Sequence, residues 1–212
     1  NVGIGTATPT TRLELDDDGA ILATGTFGAG WSEPGLGAGT RLLWYPRKAA
    51  FRMGGIDGTQ WDNANIGNYS VAMGWNTLAS DTASVALGGT VTVNGVGTVA
   101  LGKNITLPAA SDYSLAMGYE ITSTALGTGA IGAYLATTAN GAAVIGSGIS
   151  AAQKLTNNTA NSLAIGFNST IPTLFIGPSS GAGTTGNVGI GTTTPANKLD
   201  VEGGVAVGAT YS

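Results

Sequence analysis

The amino-acid sequence predicts an all-β chain in which short strands stack into a β-roll or β-solenoid, with little or no helix. Three observations predict this class. Glycine accounts for 36 of the 212 residues, whereas only 9% of the residues are charged, against about 25% in ordinary globular proteins. A short pattern that ends in glycine recurs at a spacing of 14 residues. No stretch combines a 3.6-residue apolar period with recognisable helix caps.

The recurring pattern reads Ser or Thr, apolar, Ala, apolar, Gly. Its copies are Ser70–Gly74, Ser84–Gly88, Thr98–Gly102, Ser114–Gly118, Ser162–Gly166 and Thr173–Gly177, with looser copies that end at Gly132 and Gly146. The closing glycines are 14, 14, 16, 14, 14, 20 and 11 residues apart. Such a period indicates one structural unit per repeat, which is stable only when neighbouring units stack on it.

Each repeat has the length of two short strands and two turns, which is one coil of a flattened solenoid. Because side chains alternate across a strand, Val71 and Met73 face one side and Ala72 faces the other. We expect the large residues to fill a core and the small ones to permit close approach of another backbone or subunit. Gly74 then permits the turn. We expect about eight coils, which at ~4.8 Å per strand give a rod of roughly 40 Å.

A second repeat brackets the chain. The sequence from Asn1 to Thr6 returns, residue for residue, as the sequence from Asn187 to Thr192. The match continues with Pro9 and Pro195, Arg12 and Lys198, and Leu13 and Leu199. Each copy is predicted to form a strand, a proline-containing turn and a second strand.

Composition restricts the possible functions. The chain contains no Cys and no His, which excludes disulfides, thiol nucleophiles and imidazole chemistry. A net charge of −4 disfavours a nucleic-acid partner. Residues 121–153 carry no charge, but Gly, Ser, Thr and Asn interrupt them so often that we expect no membrane insertion. The scarcity of charge favours a chain whose surface is partly hidden between subunits.

The 14-residue repeat resembles the head repeats of trimeric autotransporter adhesins. The segment from Ser70 to Gly88 carries the resemblance best, and the similar region extends over residues 70–177. In that family, Ser-x-Ala-x-Gly units form a left-handed parallel β-roll, and three rolls pack around a common axis. The resemblance therefore implies a homotrimer.

The unit Asn-Val-Gly-Ile-Gly-Thr-x-x-Pro resembles a shaft repeat of phage tail-fibre proteins and related bacterial surface proteins. In that family the repeat often precedes an intramolecular chaperone domain, which trimerises the fibre and then cuts itself off. The residues Gly208–Ser212 resemble the stretch just before such a domain. The resemblance implies that Ser212 lies at or near this junction.

These observations predict four regions: a shaft repeat module at 1–15, a Trp-rich β connector at 16–69, a β-roll at 70–177, and a linker with a second shaft module at 178–212. We expect a non-enzymatic, extracellular fibre segment of a trimeric tail fibre or adhesin, on a bacterial cell surface, an injection machine or a phage virion. It would provide a rigid shaft or head for multivalent attachment, without a cofactor. The alternatives are a structural filament that polymerises end to end and a glycan-degrading tailspike.

The connector contains the only candidate binding residues. Trp44, Tyr45, Arg47 and Lys48 form a cluster of aromatic and basic residues that are suited to contact a surface glycan or receptor. The alternative, which we favour, is that Trp44 and its neighbours pack a small trimeric core between shaft and roll.

Acidic residues offer two weaker signals. Asp16-Asp17-Asp18-Gly19 could ligate Ca²⁺, but the EF-hand spacing is absent, so a solvated turn is the preferred interpretation and no metal site is predicted. A glycosidase would need a pair of carboxylates, for which Asp57, Asp62 and Asp81 are the first residues to test. The glycines of the G-x-G-x-x-G match at residues 127–132 are expected at coil corners rather than at a nucleotide site.

Overall fold

The computed structural model describes residues 1–15 and 21–205, and strands dominate these ranges. Two three-residue 3-10 turns, Pro46–Lys48 and Asn63–Asn65, are the helical elements among the described residues, so the prediction of an all-β chain with little or no helix is confirmed. The strands are β1 (Val2–Ile4), β2 (Leu13–Leu15), β3 (Gly39–Tyr45), β4 (Ala50–Ile56), β5 (Val71–Ala79), β6 (Val85–Val93), β7 (Val99–Leu107), β8 (Leu115–Ser123), β9 (Gly129–Thr137), β10 (Ala143–Ser147), β11 (Leu155–Asn157), β12 (Leu163–Gly166), β13 (Leu174–Ile176), β14 (Val188–Ile190) and β15 (Leu199–Val201).

Stacked parallel strands form a β-solenoid, as the 14-residue period predicts. The ladder runs through β4, β5, β6, β7, β8, β9, β10 and β12, and each strand hydrogen-bonds to the next in parallel register. The repeat glycines stay aligned, for example Gly102 with Gly118 and Gly146 with Gly166, although extra residues separate both pairs. The six extra residues after β10 end at β11, which pairs with the second half of β9 and so completes the β10 coil.

Every long solenoid strand bends in its middle at the repeat glycine. Gly88, in β6, has a φ of +126°, and a Cβ atom built on it would overlap the carbonyl oxygen of Gly102 in the next coil. Two residues later, Thr90 adopts a left-handed conformation with a φ of 54°. The bend thus divides each strand into a first half and a second half, which form two walls of the coil.

The solenoid interior contains small residues on one wall and larger ones on the other. The first halves contribute a buried column of Ala72, Ala86, Ala100, Ala116, Ala130, Val144 and Ala164. The second halves contribute the buried residues Val91, Ile105, Ile121, Leu135 and Leu155, followed two positions later by Val93 and Leu107. The coil is narrow, so alanine fits where the opposite wall already supplies a branched side chain.

The expected direction of the large repeat residues is therefore wrong within the single chain. We expected residues such as Val71 and Met73 to fill the core, but Ala72 points inward and its two large neighbours point outward. The alternation along the strand is as predicted, whereas the face assigned to the core is reversed. The signal that decides the face lies in the second half of each repeat, where Val91-Thr92-Val93 and Ile105-Thr106-Leu107 already provide the inward apolar residues.

The first residue of the repeat closes the turn that leads into each coil. The buried hydroxyl of Ser70 donates a hydrogen bond of 2.6 Å to the carbonyl of Gly67, and that of Ser84 donates one of 2.6 Å to Asp81. Ser162 makes the equivalent bond to Thr159 at 2.7 Å. These serines are buried, and their hydroxyls find a partner in the turn, which explains why Ser or Thr recurs at this position.

The parallel ladder ends at β12, where the chain reverses. The last copy of the repeat pattern forms β13, which pairs with β12 in antiparallel register, with Phe175 opposite Ala164. Phe175 is 3% exposed and covers the end of the interior alanine column. This copy therefore caps the solenoid instead of adding another parallel coil.

The two bracketing repeats fold into the same small unit, which we call the N-terminal module (residues 1–15) and the C-terminal module (residues 187–201). In each, two strands pair in parallel, β1 with β2 and β14 with β15. The side chain of Asn1 donates a hydrogen bond of 3.0 Å to the carbonyl of Pro9, and Asn187 does the same to Pro195 at 3.0 Å. The equivalence of the two repeats therefore extends to individual hydrogen bonds.

Candidate interaction surfaces

A continuous apolar surface, which we call the apolar stripe, runs along the outer side of twelve strands from β3 to β15. It consists of two rows of residues that are aligned from strand to strand. The first row is Leu42, Met53, Met73, Leu87, Leu101, Met117, Ile131, Ile145, Ile165, Leu174, Ile190 and Val201. The second row is Trp44, Phe51, Val71, Val85, Val99, Leu115, Gly129, Ala143, Leu163, Ile176, Val188 and Leu199.

The stripe is exposed to solvent in the single chain and contains no charged residue. Met117 is 40% exposed and Ile131 is 45% exposed, although both lie in the middle of a long ladder. At a strand spacing of ~4.8 Å the two rows extend over roughly 50 Å. Exposed apolar patches of this extent mark interaction surfaces in soluble proteins.

The outer side of the second half-strands is polar. Thr92, Thr106 and Thr122 occupy equivalent positions on β6, β7 and β8. The hydroxyl of Thr122 accepts a hydrogen bond of 2.8 Å from the Nζ atom of Lys154. The outer side thus differs between the two half-strands: the first halves carry the apolar stripe, whereas the second halves carry threonines in the middle of the solenoid.

The four residues that the sequence singled out in the connector do not share one surface. Trp44 is 41% exposed and belongs to the apolar stripe, whereas the adjacent Tyr45 is fully buried on the other side of β3. The Tyr45 hydroxyl donates to Asn63 Oδ1 at 2.7 Å. Arg47 and Lys48 lie in the 3-10 turn that follows, at Pro46–Lys48.

Lys48 has a structural role in this turn. Its Nζ atom donates to the carbonyl oxygens of Asn63 and Ile66, at 2.5 and 2.6 Å. Desolvation lowers the pKa of Lys48, and the nearby positive charges of Arg52 and Arg47 lower it further. The ammonium group therefore holds the segment around Asn63–Asn65 against the turn.

Glu33 anchors the long segment 21–38 to the same region. This residue is 4% exposed, and its carboxylate accepts hydrogen bonds from the backbone N–H groups of Leu36 at 2.7 Å and Asn63 at 2.8 Å. The backbone N–H of Glu33 donates to the Tyr45 hydroxyl at 3.3 Å. The burial of Tyr45 is thus explained by its position between two anchoring residues, a role that the sequence pattern did not indicate.

Arg47 lines a small pocket that we call the Trp31 pocket. It has a volume of about 280 Å³, and its walls include Thr26, Gly30, Trp31, Pro46 and Arg47. The Trp31 ring is 55% exposed and packs edge-on against Tyr45, with 5.7 Å between ring centroids. Because Tyr45 and Trp44 point to opposite sides of β3, we place the pocket on the side away from the apolar stripe.

A larger groove of about 470 Å³ lies between the end of the solenoid and the C-terminal module. It is lined by Thr159, Phe175, Asn187, Thr193, Thr194 and Lys198. Lys198 Nζ donates to the carbonyl of Thr185 at 2.5 Å, so this amine holds the linker before β14. The groove is walled mainly by uncharged polar groups.

The acids that would be tested for catalysis are engaged in local hydrogen bonds. Asp57 accepts a bond from Gln60, and its lowered pKa results first from hydrogen bonding with Asn76 and then with Gln60. Asp62 accepts from the N–H of Gly37 at 3.3 Å, and Asp81 from the N–H of Thr82 at 2.7 Å. Asp16-Asp17-Asp18-Gly19 and the Gly208–Ser212 segment lie outside the described residues.

Comparisons with protein-family models, with curated proteins and with solved structures found no match. In the described ranges, no helix is long and apolar enough to span a membrane. The surfaces described above are therefore the basis for a functional proposal.

Proposed function

We propose that the chain is a structural segment of an extracellular homotrimeric fibre, of the tail-fibre or adhesin kind, which serves as a rigid support for attachment to a cell surface. The observation that carries this proposal is the apolar stripe, a charge-free surface that continues without a gap through connector, solenoid and C-terminal module. Water contact with such a surface is unfavourable, and pairing it with identical copies removes its apolar area from solvent.

Three copies are favoured over two by the resemblance of the repeat to the head repeats of trimeric autotransporter adhesins. A parallel bundle would bring the stripes of all copies to a common axis and leave each polar threonine side outward. The fibre would then present three copies of any weak binding site, which raises the overall strength of attachment by avidity. The shaft-like modules at both ends fit a segment of a longer, extracellular assembly on a phage, an injection machine or a bacterial surface.

The Trp31 pocket is our candidate for the contact with that surface, and we assign it a sugar that bears a carboxylate. An exposed indole ring offers a flat apolar face, and the Arg47 guanidinium can bind a carboxylate through two parallel hydrogen bonds. The pocket is close to the lower end of the range for small ligands, roughly 300 Å³, so a single sugar unit is the appropriate size. Its place away from the stripe leaves it open in the assembled fibre.

Light scattering on the purified chain, coupled to size-exclusion chromatography, tests the oligomeric proposal. We expect a mass three times the chain mass of 20.8 kDa. In a double variant, Met117→Lys with Ile131→Lys, two adjacent stripe residues become charged, and we expect the trimer to dissociate. The matched control, Thr92→Lys with Thr106→Lys, adds the same charges to the polar side and should keep the mass of the wild type.

A stable wild-type monomer, or a stripe variant with an unchanged mass, would refute the trimer. Open polymers of undefined mass would instead favour the filament that polymerises end to end.

A further inference from the structure

Within residues 1–15 and 21–205, strand β1 of the N-terminal module has one free edge, whereas its equivalent in the C-terminal module has none. Among the described residues β1 pairs only with β2. Its counterpart β14 pairs with β15 on one side and, on the other, in antiparallel register with β13. The same structural unit thus occurs twice in the chain, once with its outer edge covered and once with that edge open.

The covered edge shows which contacts the open edge lacks. The N–H of Gly191 donates to the carbonyl of Thr173 at 2.9 Å, and the carbonyl of Asn187 accepts from the N–H of Gly177 at 2.8 Å. The repeat places Gly5 and Asn1 at the positions of Gly191 and Asn187. The backbone groups of β1 therefore have the direction and spacing that bound an antiparallel strand in the C-terminal module.

Side chains give this edge a preference for a particular kind of strand. Phe175 of β13 lies directly opposite Gly189, and it packs in the same core cluster as the alanine column of the solenoid. Phe175 is 3% exposed, and Gly189, in the strand paired with β13, is buried. Gly3 occupies the equivalent place in β1 and is only half-buried. An aromatic residue opposite Gly3 is what the N-terminal module lacks.

The residues that flank this glycine show the same difference. Val2 and Ile4 are 59% and 58% exposed, whereas their counterparts Val188 and Ile190 are half-buried and 40% exposed. In the covered module, Ile176 and Leu174 lie opposite them and continue the apolar stripe. A strand with large apolar residues on both sides of a central aromatic would extend the stripe across β1 in the same way.

We propose that the free edge of β1 is a docking site for an antiparallel β-strand of the β13 type, with an apolar–aromatic–apolar pattern, supplied by a neighbouring segment of the same fibre, an occupant that rests on the proposed function. The strand would accept a hydrogen bond from the N–H of Gly5, donate one to the carbonyl of Asn1 and place its aromatic residue opposite Gly3. Strand addition of this kind derives its affinity from main-chain hydrogen bonds and its specificity from alternate side chains. The site is a longitudinal joint and is independent of the lateral packing of the apolar stripes.

A three-residue edge makes few hydrogen bonds, so the joint needs a high effective concentration of the partner strand. The test is a chain that carries an additional copy of its own residues 172–186 directly before Asn1. This copy contains β13 and the natural linker, and it precedes β1 just as residues 172–186 precede β14. The matched control carries the same copy with Phe175→Asp, which keeps the length and the backbone.

Amide hydrogen exchange at Gly5, measured by NMR, is the readout. We expect the added copy to slow this exchange by about tenfold or more, and the Phe175→Asp copy to restore the rate of the unextended chain. Equal exchange rates in all three proteins would overturn the proposal. Protection of Gly5 in the unextended chain would also overturn it, because the edge would then have a different occupant.

Discussion

Arg52 lies directly opposite Ala72 in the parallel ladder and fills the open end of the first solenoid coil. It is fully buried, and its guanidinium donates to the carbonyl of Ser70 at 3.0 Å, to the Ser70 hydroxyl at 2.8 Å and to the carbonyl of Ala79 at 2.9 Å. Burial lowers the pKa of Arg52 to about 10. The first rung thus has an arginine where the later rungs have alanine or, in one case, Val144, and its long side chain closes the core.

Two substitutions of Arg52 should distinguish the contribution of core filling to the free energy of unfolding from the contribution of the charge. We expect Arg52→Ala to lower the free energy of unfolding by about 3 kcal/mol, because it leaves a cavity beside Ala79. Arg52→Met fills the space, and the carbonyls of Ser70 and Ala79 keep the backbone hydrogen bonds that they accept from Phe51 and Gly67. We therefore expect a loss within about 1 kcal/mol, measured by urea denaturation.

The pH dependence of this difference has a defined sign. The folded-state pKa of Arg52 is about 10, below the ordinary value of 12.5. The charged guanidinium is therefore less stable in the folded protein than in the unfolded chain. The wild type should therefore gain stability relative to Arg52→Met as the pH rises above 10, and the two proteins should keep a constant difference near neutral pH. Equal destabilisation by Met and Ala would show that the hydrogen bonds, rather than the filled volume, stabilise this end.

Gly88 and Gly89 form a matched pair for testing the bend. An alanine at 88 would clash with the carbonyl of Gly102 and would need a φ that L-residues rarely adopt, so we expect a loss above about 3 kcal/mol. At 89, a Cβ would lie 3.7 Å from Lys103 Cγ, which is an ordinary contact, and the loss should stay within about 1 kcal/mol. Chemical denaturation of both variants is the measurement.

Gly166, on the last rung, provides an intermediate case if Gly88→Ala does not fold. The nearest atom to a Cβ there is the Cα of Pro172, at 3.1 Å, because no further parallel coil stacks on β12. Gly166→Ala should cost less than Gly88→Ala and more than Gly89→Ala. Any other order of these three stability losses would contradict the explanation that glycine is required where the bend of one coil stacks on the bend of the next.

The Trp31 pocket leads to a prediction about sugar binding. With oligogalacturonate as the probe, we expect Trp31→Ala to weaken binding about tenfold or more, because the exposed ring supplies the apolar contact. Trp75→Ala is the control, since Trp75 is similarly exposed, at 53%, but does not line the pocket. Isothermal calorimetry measures both. Equal affinities of the two variants would exclude this pocket as the binding site.

Thr10 controls the acidity of Glu14 in the N-terminal module. The Glu14 carboxylate accepts hydrogen bonds from the Thr10 hydroxyl and backbone N–H, at 2.8 and 2.6 Å, and the hydroxyl is the main reason for its lowered pKa. We expect Thr10→Val to raise the Glu14 pKa toward 4.5, as observed by NMR titration. Thr11→Val, which removes a hydroxyl bonded to the carbonyl of Leu13, should shift it much less.

The same bonds define how the turn responds to acid. A folded-state pKa that is lower than the ordinary value stabilises the turn above pH 4.5, and this contribution is lost as the pH falls through the lowered pKa. The Thr10 amide resonance should therefore move in the same pH window as the Glu14 carboxyl. A Thr10 resonance that titrates with the ordinary Glu14 pKa would contradict the hydrogen bond.

The sequence predicts the fold class because glycine and side-chain alternation act locally. The aligned bends at Gly74 and Gly88 follow directly from the 14-residue spacing. The direction of Ala72 does not follow from its own five-residue pattern, since a large-small-large pattern can place either side inward. That choice depends on the opposite wall, whose residues, such as Val91, come from the other half of the coil.

The candidate site was harder to predict, because its residues contact segments far away in the sequence. Tyr45 is buried through Glu33 and Asn63, which lie 12 and 18 residues from it. Arg47 meets Gly30 through a hydrogen bond of 3.1 Å, and this contact forms one wall of the pocket. Clustering along the sequence suggested one patch, whereas the alternation of β3 divides it between two sides.

The extra residues in two coils show where the solenoid tolerates insertions in the course of evolution. Both additions lie at corners, and the six-residue one after β10 folds back on itself through a bridge between Ser150 and Gln153. Neither disturbs the alignment of Gly102 with Gly118 or of Gly146 with Gly166. New loops can therefore arise at the corners, and foreign peptides can be displayed there, while every variant keeps its strands in register and its apolar stripe unbroken.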